Sequence, residues 1–521
     1  MQSTYIFGVL KCNERTHGKK NGKLLYRFCP DHAYQEYGDL IVPYKNSNTS
    51  FLKSKSNILC AIIQVPNQPI VQYSVHHVYG ATTDSTAIFD YDLHKYSLIP
   101  TLKHFQKIVD RQIRTDNDVD DDIVQDRQSE HIITIDPSGC LDFDDAIGLV
   151  DWMEFDIILG KRLSIYISNV PRILDQLKLW DHFDVSNTFR FASVYMPNKT
   201  HPMLPRTLSE GICSLVEKQE RSALTLDIYI DIGGSIVRHE FTETLIQVDT
   251  NYIYNTPELD TLDMYKDIRD TVRNLNNTTD GKMLGSIIDS HDVIAYLMLY
   301  MNRETGTYLN NIDTGGIFRS VVVDSAGTKN ERVPAHLDSE TMRYMTMYRH
   351  TTSSYETCGM DKGHGLVKEG SVVKYAQITS PIRRFVDLVN MSLVRNSIRD
   401  TSSMMNTDQW FTTDFISKLN QQMKNIRTVQ NDASLITYGD AHVGEDIDGV
   451  VISIDLDDNS DNNKYQIFVS QLGKSFRVSV PKTIPVVQLY SSHIFRIVYF
   501  TSNVRATSKV RLVFDKFDIS I

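Results

Sequence analysis

A chain of 521 residues exceeds the roughly 250–300 residues at which one core stops growing, so it indicates about three domains, and its 41% hydrophobic content can give each a core. No apolar run approaches the roughly 20 residues of a membrane span, and the polar start MQSTYIFGVLKCNERTHGKK excludes a signal peptide, so we expect a cytoplasmic or nuclear protein that is neither secreted nor in a membrane. The net charge of −11 does not by itself favour a nucleic-acid partner, although it averages over local differences.

The first hundred residues contain short runs rich in Val, Ile and Tyr, separated by Gly, Asn, Pro and Lys turns. This spacing predicts a small β-barrel over residues 1–100, with strands at Tyr5–Leu10, Lys23–Phe28, Leu40–Pro43, Ile58–Val65 and Ser74–Tyr79. Apolar residues at helical intervals then predict a helix over Thr101–Arg114. The acidic run Asp116–Asp126 is typical of a solvated linker, so residues 101–128 are predicted to form a helix and an acidic linker.

Strands then alternate with longer helices over residues 129–437, which predicts an α+β core whose clearest helices are Ile287–Leu309 and Pro381–Arg399. Residues 438–521 return to β alternation and predict a second small barrel, with strands at Ile447–Ile454, Lys464–Leu472, Phe476–Val480, His493–Tyr499 and Lys509–Phe514. The loop DLDDNSDNN is interpreted as a hairpin loop rather than a calcium site, because Ser460 stands where an EF-hand loop needs Gly.

The six cysteines are scattered along the chain and contain no CxxC pair, at Cys12, Cys29, Cys60, Cys140, Cys213 and Cys358. This spacing argues against a zinc site and against a disulfide framework. We interpret them as buried thiols.

Four aspartates fall within ten residues in the run TIDPSGCLDFDDA, directly after the strand-like residues 132–135: Asp136, Asp142, Asp144 and Asp145. Two carboxylates about 5 Å apart repel by roughly 3 kcal/mol at an effective dielectric of about 20. A folded loop that carries four of them needs either cations or full solvation. The first alternative is a metal-dependent enzyme, and the second is a wet acidic turn.

A second cluster of interest lies in YAQITSPIRRFVDLVN. Ser380 is predicted to cap a helix that has Pro381 at its first position, which puts Arg383 and Arg384 in the first turn. The helix dipole disfavours cations there, so two arginines imply an anion. That anion is either a phosphate or Asp387, but one aspartate leaves one arginine over.

Two further segments each allow a functional and a structural interpretation. Tyr195, in FASVYMPNKTHPMLPRTLSEGICSL, either presents its ring to a nucleic-acid base or is a buried core residue. The N-terminal segment either binds single-stranded nucleic acid or forms a solvated basic hairpin; it combines the cations Lys11, Arg15, Lys19, Lys20, Lys23 and Arg27 with the aromatics Tyr5, Phe7, Tyr26 and Phe28.

Taken together, three motifs resemble the ribonuclease II family, whose catalytic unit is the RNB domain. TIDPSGCLDFDDA is similar to the family pattern TIDPxxAxDxDDA, SVYMPNKTHPMLPRTLSEGICSL to SVYLPxxxxPMLPxxLSxxLCSL, and YAQITSPIRRFVDL to YxHFTSPIRRYxDL. The resemblance covers roughly residues 125–435. It implies that the flanking regions are OB-type barrels, cold-shock-like in front and S1-like behind, in a shortened architecture with one barrel in front rather than two.

The resemblance implies a processive exoribonuclease that hydrolyses single-stranded RNA from its 3′ end to nucleoside 5′-monophosphates by two-metal-ion catalysis. By position, the four aspartates look like ligands of Mg²⁺ or their close supports, with Asp144 the most critical for catalysis. The implied cofactor is one or two Mg²⁺ ions, for which Mn²⁺ is a substitute. The implied partner is the 3′ end of single-stranded RNA, and protein partners stay unidentified.

The resemblance also assigns roles to three other residues. Arg383 is similar to the arginine that steadies the scissile phosphate, Arg384 to a contact with the RNA backbone, and Tyr195 to the aromatic that stacks on the 3′-terminal base. The chain departs from the family pattern around these motifs, with Gln377, Phe385 and Asn390 near the arginines and Tyr166, Ile167, Ser168, Asn169 and Val170 in place of HIADV. These changes put the hydrogen bonding around the site in doubt.

Two alternatives come from other classes of protein. A catalytically weak or inactive RNA-binding protein could keep the fold, but such a protein would be expected to lose acidic ligands and all four remain. A phosphatase of the DxD type would use one aspartate as a nucleophile, and nothing after Asp142 and Asp144 continues that pattern.

Overall fold

The computed structural model describes residues 5–45, 56–66, 72–99, 102–115, 124–183, 190–278, 282–312, 315–322, 337–348, 352–357, 374–399, 408–456, 461–483, 486–501 and 508–514. Sheets of six, seven and five strands follow one another along the chain. This arrangement confirms the predicted α+β class with barrel-like sheets at both ends. The predicted domain boundaries stay predictions. Cys358, most of the predicted acidic linker and the tip of the DLDDNSDNN loop lie outside the described residues.

The N-terminal sheet has the order β2-β3-β1-β5-β6, with β4 added on β3. Its strands are β1 (Tyr5–Leu10), β2 (Lys19–Lys20), β3 (Lys23–Pro30), β4 (Leu40–Tyr44), β5 (Ile58–Gln64) and β6 (Tyr73–Ala81). All five predicted strands are therefore confirmed. Helices α1 (Ser85–Lys95) and α2 (Leu102–Thr115) follow, and only α2 was predicted. Helix α1 begins at Asp84, whose side chain accepts the Thr86 N–H at 2.9 Å.

The prediction that aromatics of this sheet stack on single-stranded nucleic acid is wrong for three of the four residues named. Phe7, Tyr26 and Phe28 are buried in the cores of the N-terminal unit, so their rings cannot stack on bases. Lys11 is buried as well, whereas Lys19 and Lys20 lie exposed on the β2–β3 hairpin. The solvated basic hairpin is the interpretation that fits.

The central sheet carries the aspartate motif and has the order β15-β8-β9-β10-β13-β14-β7. The strands of this region are β7 (Gln125–Asp126), β8 (Ile132–Asp136), β9 (Asp145–Glu154), β10 (Ile157–Ser168), β11 (Val194–Met196), β12 (Lys199–His201), β13 (Glu220–Asp231), β14 (Ile236–Gln247) and β15 (Thr250–Ile253). Strand β7 occupies the end of the predicted linker, since Asp126 pairs in parallel with Leu245. The acidic pattern misled there because Arg127 is buried next to it, with its guanidinium on Asp227 at 2.5 Å.

The other helices and one hairpin of this part of the chain are α3 (Val170–Gln176), α4 (Asp263–Asn277), α5 (Ser290–Asn311), α6 (Ser339–Tyr348), β16 (Ile317–Val322), β17 (Thr352–Thr357), α7 (Phe385–Arg399) and α8 (Thr413–Ala441). The predicted helices at Ile287–Leu309 and Pro381–Arg399 correspond to α5 and α7. Gly306 lets the chain at Lys374 approach α5, because a Cβ at Gly306 would lie 2.4 Å from the Lys374 carbonyl oxygen.

The C-terminal sheet has the order β20-β19-β18-β21-β22. Its strands are β18 (Asp446–Asp455), β19 (Asn462–Val469), β20 (Lys474–Pro481), β21 (Ser492–Thr501) and β22 (Ser508–Phe514), which confirms the five predicted strands. Antiparallel pairing of β18 with β19 also confirms that DLDDNSDNN connects a hairpin. Helix α8 packs against the N-terminal unit through Ile426 and Val429, so one long helix joins the N-terminal sheet to the core.

Candidate active site

A cavity of about 1460 Å³ lies between the central sheet, α5 and the turn before α7. All seven predicted site residues line it: Asp136, Asp142, Asp144, Asp145, Tyr195, Arg383 and Arg384. Residues far apart in the sequence therefore meet around one volume. That volume is large enough to receive several nucleotide units of a single strand, since small-ligand pockets span about 300–1,000 Å³.

The aspartates are positioned by the ends of two neighbouring strands. Strand β8 ends at Asp136 and strand β9 begins at Asp145, and the two strands pair antiparallel. The connection between them carries Asp142 and Asp144, and Gly139 in it has a φ of 79°, in the left-handed region that favours glycine. The sheet thus presents all four carboxylates at one edge.

Asp144 and Arg383 form the central contact of the site. The buried Asp144 carboxylate accepts the Arg383 Nε–H at 2.8 Å and the Ile382 N–H at 3.0 Å. Burial raises the pKa of Asp144 to about 7, and the Arg383 guanidinium opposes that shift. The Arg383 side chain keeps 41% of its surface exposed toward the cavity. The arginine predicted to face a phosphate thus neutralises the aspartate predicted to be most critical.

Tyr195 lies beside this pair and is not the buried core residue of the structural alternative. It is 39% exposed and lines the cavity, and its hydroxyl donates to Asp142 Oδ2 at 2.9 Å. Burial raises the pKa of the phenol, so the hydroxyl stays protonated and remains a donor. Its segment is tied to the arginine turn, because Ser193 N–H donates to the Arg383 carbonyl and Phe385 N–H to the Phe191 carbonyl, both at 2.9 Å.

The remaining two aspartates are half-buried, and the pKa values of their carboxyls are raised. Burial raises the pKa of Asp136 to about 6, and burial together with Asp136 and Asp144 raises that of Asp145 well above its usual value. Asp136 Oδ2 is buried and has no hydrogen-bond partner among the described residues. An unpaired buried carboxylate oxygen beside two other carboxylates fits a hard divalent cation, which prefers oxygen ligands. The donor set is therefore compatible with Mg²⁺ or Mn²⁺.

The two arginines do not lie in the first turn of the helix, as the sequence predicted. Residues 381–383 form a separate turn, in which the Ser380 carbonyl accepts the Arg383 and Arg384 N–H groups, and α7 begins at Phe385. The Ser380 hydroxyl accepts the Arg383 and Arg384 side chains. Arg384 Nη2 pairs with the fully buried Asp387 at 2.7 Å. Arg384 is therefore the arginine that pairs with Asp387, as in the structural alternative, and Arg383 is the arginine that does not.

Sequence reasoning missed Ser214, which holds the aspartate loop in place. Its buried hydroxyl accepts the Phe143 N–H at 3.0 Å and donates to the Leu141 carbonyl at 2.8 Å. The Leu215 N–H also donates to the Phe143 carbonyl at 3.0 Å. The motif SEGICSL was visible in the sequence, but only the folded chain shows what it contacts.

Two of the residues that depart from the family pattern, Asn390 and Gln377, are hydrogen-bonded to each other. Asn390 donates to the Gln377 and Ile317 carbonyls, each at 2.9 Å, and Gln377 Oε1 accepts the Tyr355 hydroxyl at 2.6 Å. Tyr166 donates to Glu130 at 2.9 Å. None of these hydrogen bonds involves a carboxylate oxygen of the four aspartates, but the Ser168 N–H donates to the Asp144 carbonyl at 2.9 Å, so one changed residue supports the backbone of the site.

Among the described residues, one group of three metal-type side chains has its ligand atoms within 4.8 Å of one another, and no three of the four aspartates form such a group. Asp289, His291 and Asp292 lie at the start of α5, and two of them line the cavity. The two aspartates form a capping box, with Asp292 Oδ2 accepting the Ile288 N–H at 2.8 Å. This hydrogen bonding accounts for the cluster as a helix cap.

No described helix is long and apolar enough to cross a membrane, and the five described cysteines are free.

Residues 124–280 match the model of the RNB domain. Ribonuclease R of Mycoplasmopsis pulmonis is 33% identical over 131 residues, which cover 25% of this chain and 17% of the relative. Ribonuclease R of Chlamydia pneumoniae is 26% identical over 334 residues, covering 51% of this chain and 46% of the relative. The chain thus aligns with less than half of the length of either protein.

Solved structures show the same fold over nearly the whole chain. Mycoplasma genitalium RNase R in complex with ribose-methylated single-stranded RNA superposes with a TM-score of 0.69 at 16% identity, covering 98% of this chain and 89% of that one. Yeast Ssd1, a pseudonuclease, superposes with a TM-score of 0.60 at 12% identity, covering 96% and 68%. The chain therefore contains a match to the RNB domain over residues 124–280, and nearly all of it shares the fold of these solved structures.

Proposed function

We propose that this protein is an exoribonuclease that hydrolyses single-stranded RNA processively from the 3′ end and releases nucleoside 5′-monophosphates. The observation that carries the proposal is the contact of Asp144 with Arg383 inside a cavity that also holds three further carboxylates. Relatives named ribonuclease R and a fold shared with RNase R bound to single-stranded RNA support it.

Asp136, Asp142 and Asp145 are the residues that would hold Mg²⁺, with Asp144 beside them. When bound, the ion supplies Lewis-acid activation of water and neutralises charge on the phosphate. The protein itself contributes one buried and three half-buried carboxylates, and the raised pKa values of Asp136 and Asp144 reflect the cost of keeping these two charged without a cation. That cost favours the metal-bound state.

Arg383 would steady the scissile phosphate. Its guanidinium uses Nε for Asp144 and Nη2 for Ser380, while 41% of the side chain remains exposed in the cavity. Arginine offers five donors in a planar fork, so an exposed edge remains for phosphate oxygens. Negative charge that develops on the phosphate would strengthen this contact in the transition state.

Tyr195 would stack on the 3′-terminal base and set how far the RNA enters. Its ring is exposed to the cavity while its hydroxyl is fixed on Asp142, so the ring plane is held next to the carboxylates. Arg384 is engaged with the buried Asp387, and its contact with the RNA backbone would be limited to the edge that faces the cavity. Preference for RNA would come from contacts to 2′-hydroxyls.

A second candidate function is RNA binding without efficient cleavage. The likeness of the fold to yeast Ssd1, a pseudonuclease, favours it. Against it, all four aspartates and Arg383 are present and line one cavity. Product analysis separates the two functions, because only the nuclease releases monophosphates.

The deciding experiment uses 5′-labelled single-stranded RNA with Mg²⁺ and compares the wild type with Asp144→Asn. The wild type should shorten the RNA stepwise from its 3′ end, and Asp144→Asn should bind the RNA but leave it intact. Asp156→Asn is a matched control, because Asp156 is exposed at the far end of the sheet and already adopts a φ of 63° that Asn tolerates. Intact RNA with wild type, or equal cleavage by Asp144→Asn, would refute the proposal.

A further inference from the structure

The end of the central sheet that lies away from the aspartates exposes a group of large apolar side chains. We call it the hairpin-tip patch, and it consists of Met153, Phe155, Ile157, Ile158, Ile232 and Val237. Phe155 is 96% exposed, Ile232 79% and Ile157 63%. Single exposed apolar residues are ordinary on a protein surface, but a contiguous group of them marks an interaction site.

The patch is contiguous because two hairpins end side by side. The β9–β10 hairpin turns at Phe155 and Asp156, and the β13–β14 hairpin turns just after Ile232. Strands β10 and β13 are neighbours, and the Ile232 N–H donates to the Leu159 carbonyl at 3.1 Å. Neighbouring strands lie about 4.8 Å apart, so side chains of the two tips share one surface.

Phe155 is held in a conformation that a phenylalanine adopts at a cost. Its φ is 49°, in the left-handed region where the Cβ of an L-residue crowds the backbone and where Gly or Asn is usual. Since the side chain is almost fully exposed, burial within this chain does not repay either the strain or the exposure of the ring. The positive φ belongs to the two-residue turn that Phe155 and Asp156 form, and contact with a partner would bury the exposed ring.

The patch lies far from the candidate active site. Asp145 and Glu154 are the two ends of the ten-residue strand β9, which spans about 30 Å. A molecule on the patch would therefore leave the cavity open. Such a surface suits recruitment of the protein rather than control of entry to the site.

The charges around the patch decide which partner fits it. Glu154 and Asp156 flank Phe155, and neither has an ion-pair partner among the described residues. The cations nearby are already paired, Lys161 with Asp151 at 2.8 Å and Arg238, next to Val237, with Glu240 at 3.8 Å. An acidic border repels RNA phosphates and anionic lipids, and it also repels the same border on a second copy of this chain. It attracts an apolar surface bordered by cations.

We propose that the hairpin-tip patch is a docking surface for a partner protein that presents an apolar segment bordered by lysine or arginine. This proposal is independent of RNA cleavage. Apolar contacts with Phe155 and Ile232 would supply the affinity, since large side chains at the centre of an interface carry most of it. Glu154 and Asp156 would supply orientation and selectivity.

Trp152 provides a reporter within the surface itself. Its ring packs edge-on against Tyr229, with centroids 5.3 Å apart, at the base of the patch, whereas Trp180 and Trp410 are buried in the core. The probes are two synthetic amphipathic helical peptides that share the same leucine face and differ only in flanking residues, lysine in one and glutamate in the other. Binding is measured by tryptophan emission and by the anisotropy of labelled peptide.

The lysine peptide should bind the full chain and the glutamate peptide should not. The double change Phe155→Ser and Ile232→Ser should weaken binding of the lysine peptide by about tenfold or more, and Glu154→Lys with Asp156→Lys should reverse the preference between the peptides. Both double variants should cleave RNA as the wild type does, so failure of this proposal is distinct from failure of the proposed function.

Three results would overturn the proposal. The first is absence of binding by either peptide, or equal binding of the two. The second is self-association of the wild type in analytical ultracentrifugation that the double serine variant loses, which would assign the patch to a second copy. The third is binding of vesicles of phosphatidylserine and phosphatidylcholine that depends on Phe155, which would assign it to a membrane surface.

Discussion

The hydroxyl of Ser214 is hydrogen-bonded to the peptide N–H of Phe143 at 3.0 Å, next to a carboxylate of the candidate metal site. The same hydroxyl donates to the Leu141 carbonyl at 2.8 Å, so one buried side chain fixes both peptide groups that flank Asp142. Asp144 lies two residues after Asp142 and is held in turn by Arg383 and the Ile382 N–H. Ser214 is therefore a positioning residue that acts through the loop.

We expect Ser214→Ala to weaken Mn²⁺ binding by about 10- to 100-fold, the usual cost of losing a residue that orients a metal ligand. Calorimetric titration with Mn²⁺ measures this without reference to cleavage. Ser392→Ala is the control, because Ser392 is equally buried but its hydroxyl has no partner among the described residues. Equal metal affinity in Ser214→Ala and Ser392→Ala would show that the hydroxyl does not position the loop.

The buried carboxylates make the metal-free protein sensitive to pH. The pKa values of Asp136 and Asp144 are raised from 3.8 to about 6 and about 7 by burial. Between the ordinary pKa and these raised values, Asp136 and Asp144 hold protons in the folded chain that they have lost in the unfolded chain. The free energy of unfolding therefore falls as pH rises from about 4 to 7. Thermal unfolding in EDTA should show this decrease.

A bound divalent ion should cancel that loss. Mg²⁺ should raise the melting temperature more at pH 8 than at pH 5, because at pH 5 it must displace protons from the same carboxylates. Asp144→Asn should flatten the pH dependence in EDTA, since one titrating group is removed. A melting temperature in EDTA that is constant from pH 5 to pH 8 would contradict this prediction.

Substitutions at Arg383 and Arg384 should have different effects, one on the rate of cleavage and the other on the free energy of unfolding. Arg384→Ala leaves the buried Asp387 without a counter-charge, with the Ser380 N–H as a remaining donor, and we expect it to lower the free energy of unfolding by about 3 kcal/mol. Arg383→Lys keeps the charge but loses the planar fork, and we expect cleavage to slow by about 100-fold with little change in stability. Urea unfolding and single-turnover cleavage of both variants measure the two effects, and the reverse pattern would contradict the assignment.

Local sequence patterns were sufficient for the strands and for the aspartate loop. All ten strands predicted from apolar alternation for the two end sheets are present in the structure. The density of carboxylates indicated the site without any contact information. Position along the chain was not sufficient for the N-terminal aromatics. Phe7 and Phe28 looked available for stacking, but Phe7 packs in one core with residues of α1 and Phe28 in another with Val42 and Ile62.

Helix boundaries and long-range hydrogen bonds were also beyond the sequence. Ser380 has the residue type of a helix cap, yet its hydroxyl binds two arginines, and the helix begins at Phe385. Nothing in the spacing of Ser214 and Phe143 shows that they meet. Such contacts depend on how distant segments pack, which local propensity does not encode.

Tyr195 combines two roles that two substitutions can separate. Tyr195→Phe keeps the ring and removes the hydroxyl that donates to Asp142 at 2.9 Å, so it should bind RNA normally and require more Mg²⁺ for half-maximal cleavage. Tyr195→Ala also removes the stacking surface, and base stacking on an aromatic is worth about 1–3 kcal/mol, so the RNA affinity should fall by about tenfold or more. Anisotropy with labelled RNA in Ca²⁺ measures binding, and Mg²⁺ titration of cleavage measures the metal requirement. If Tyr195→Phe weakens RNA binding as much as Tyr195→Ala, the hydroxyl rather than the ring holds the RNA, and stacking at this position is refuted.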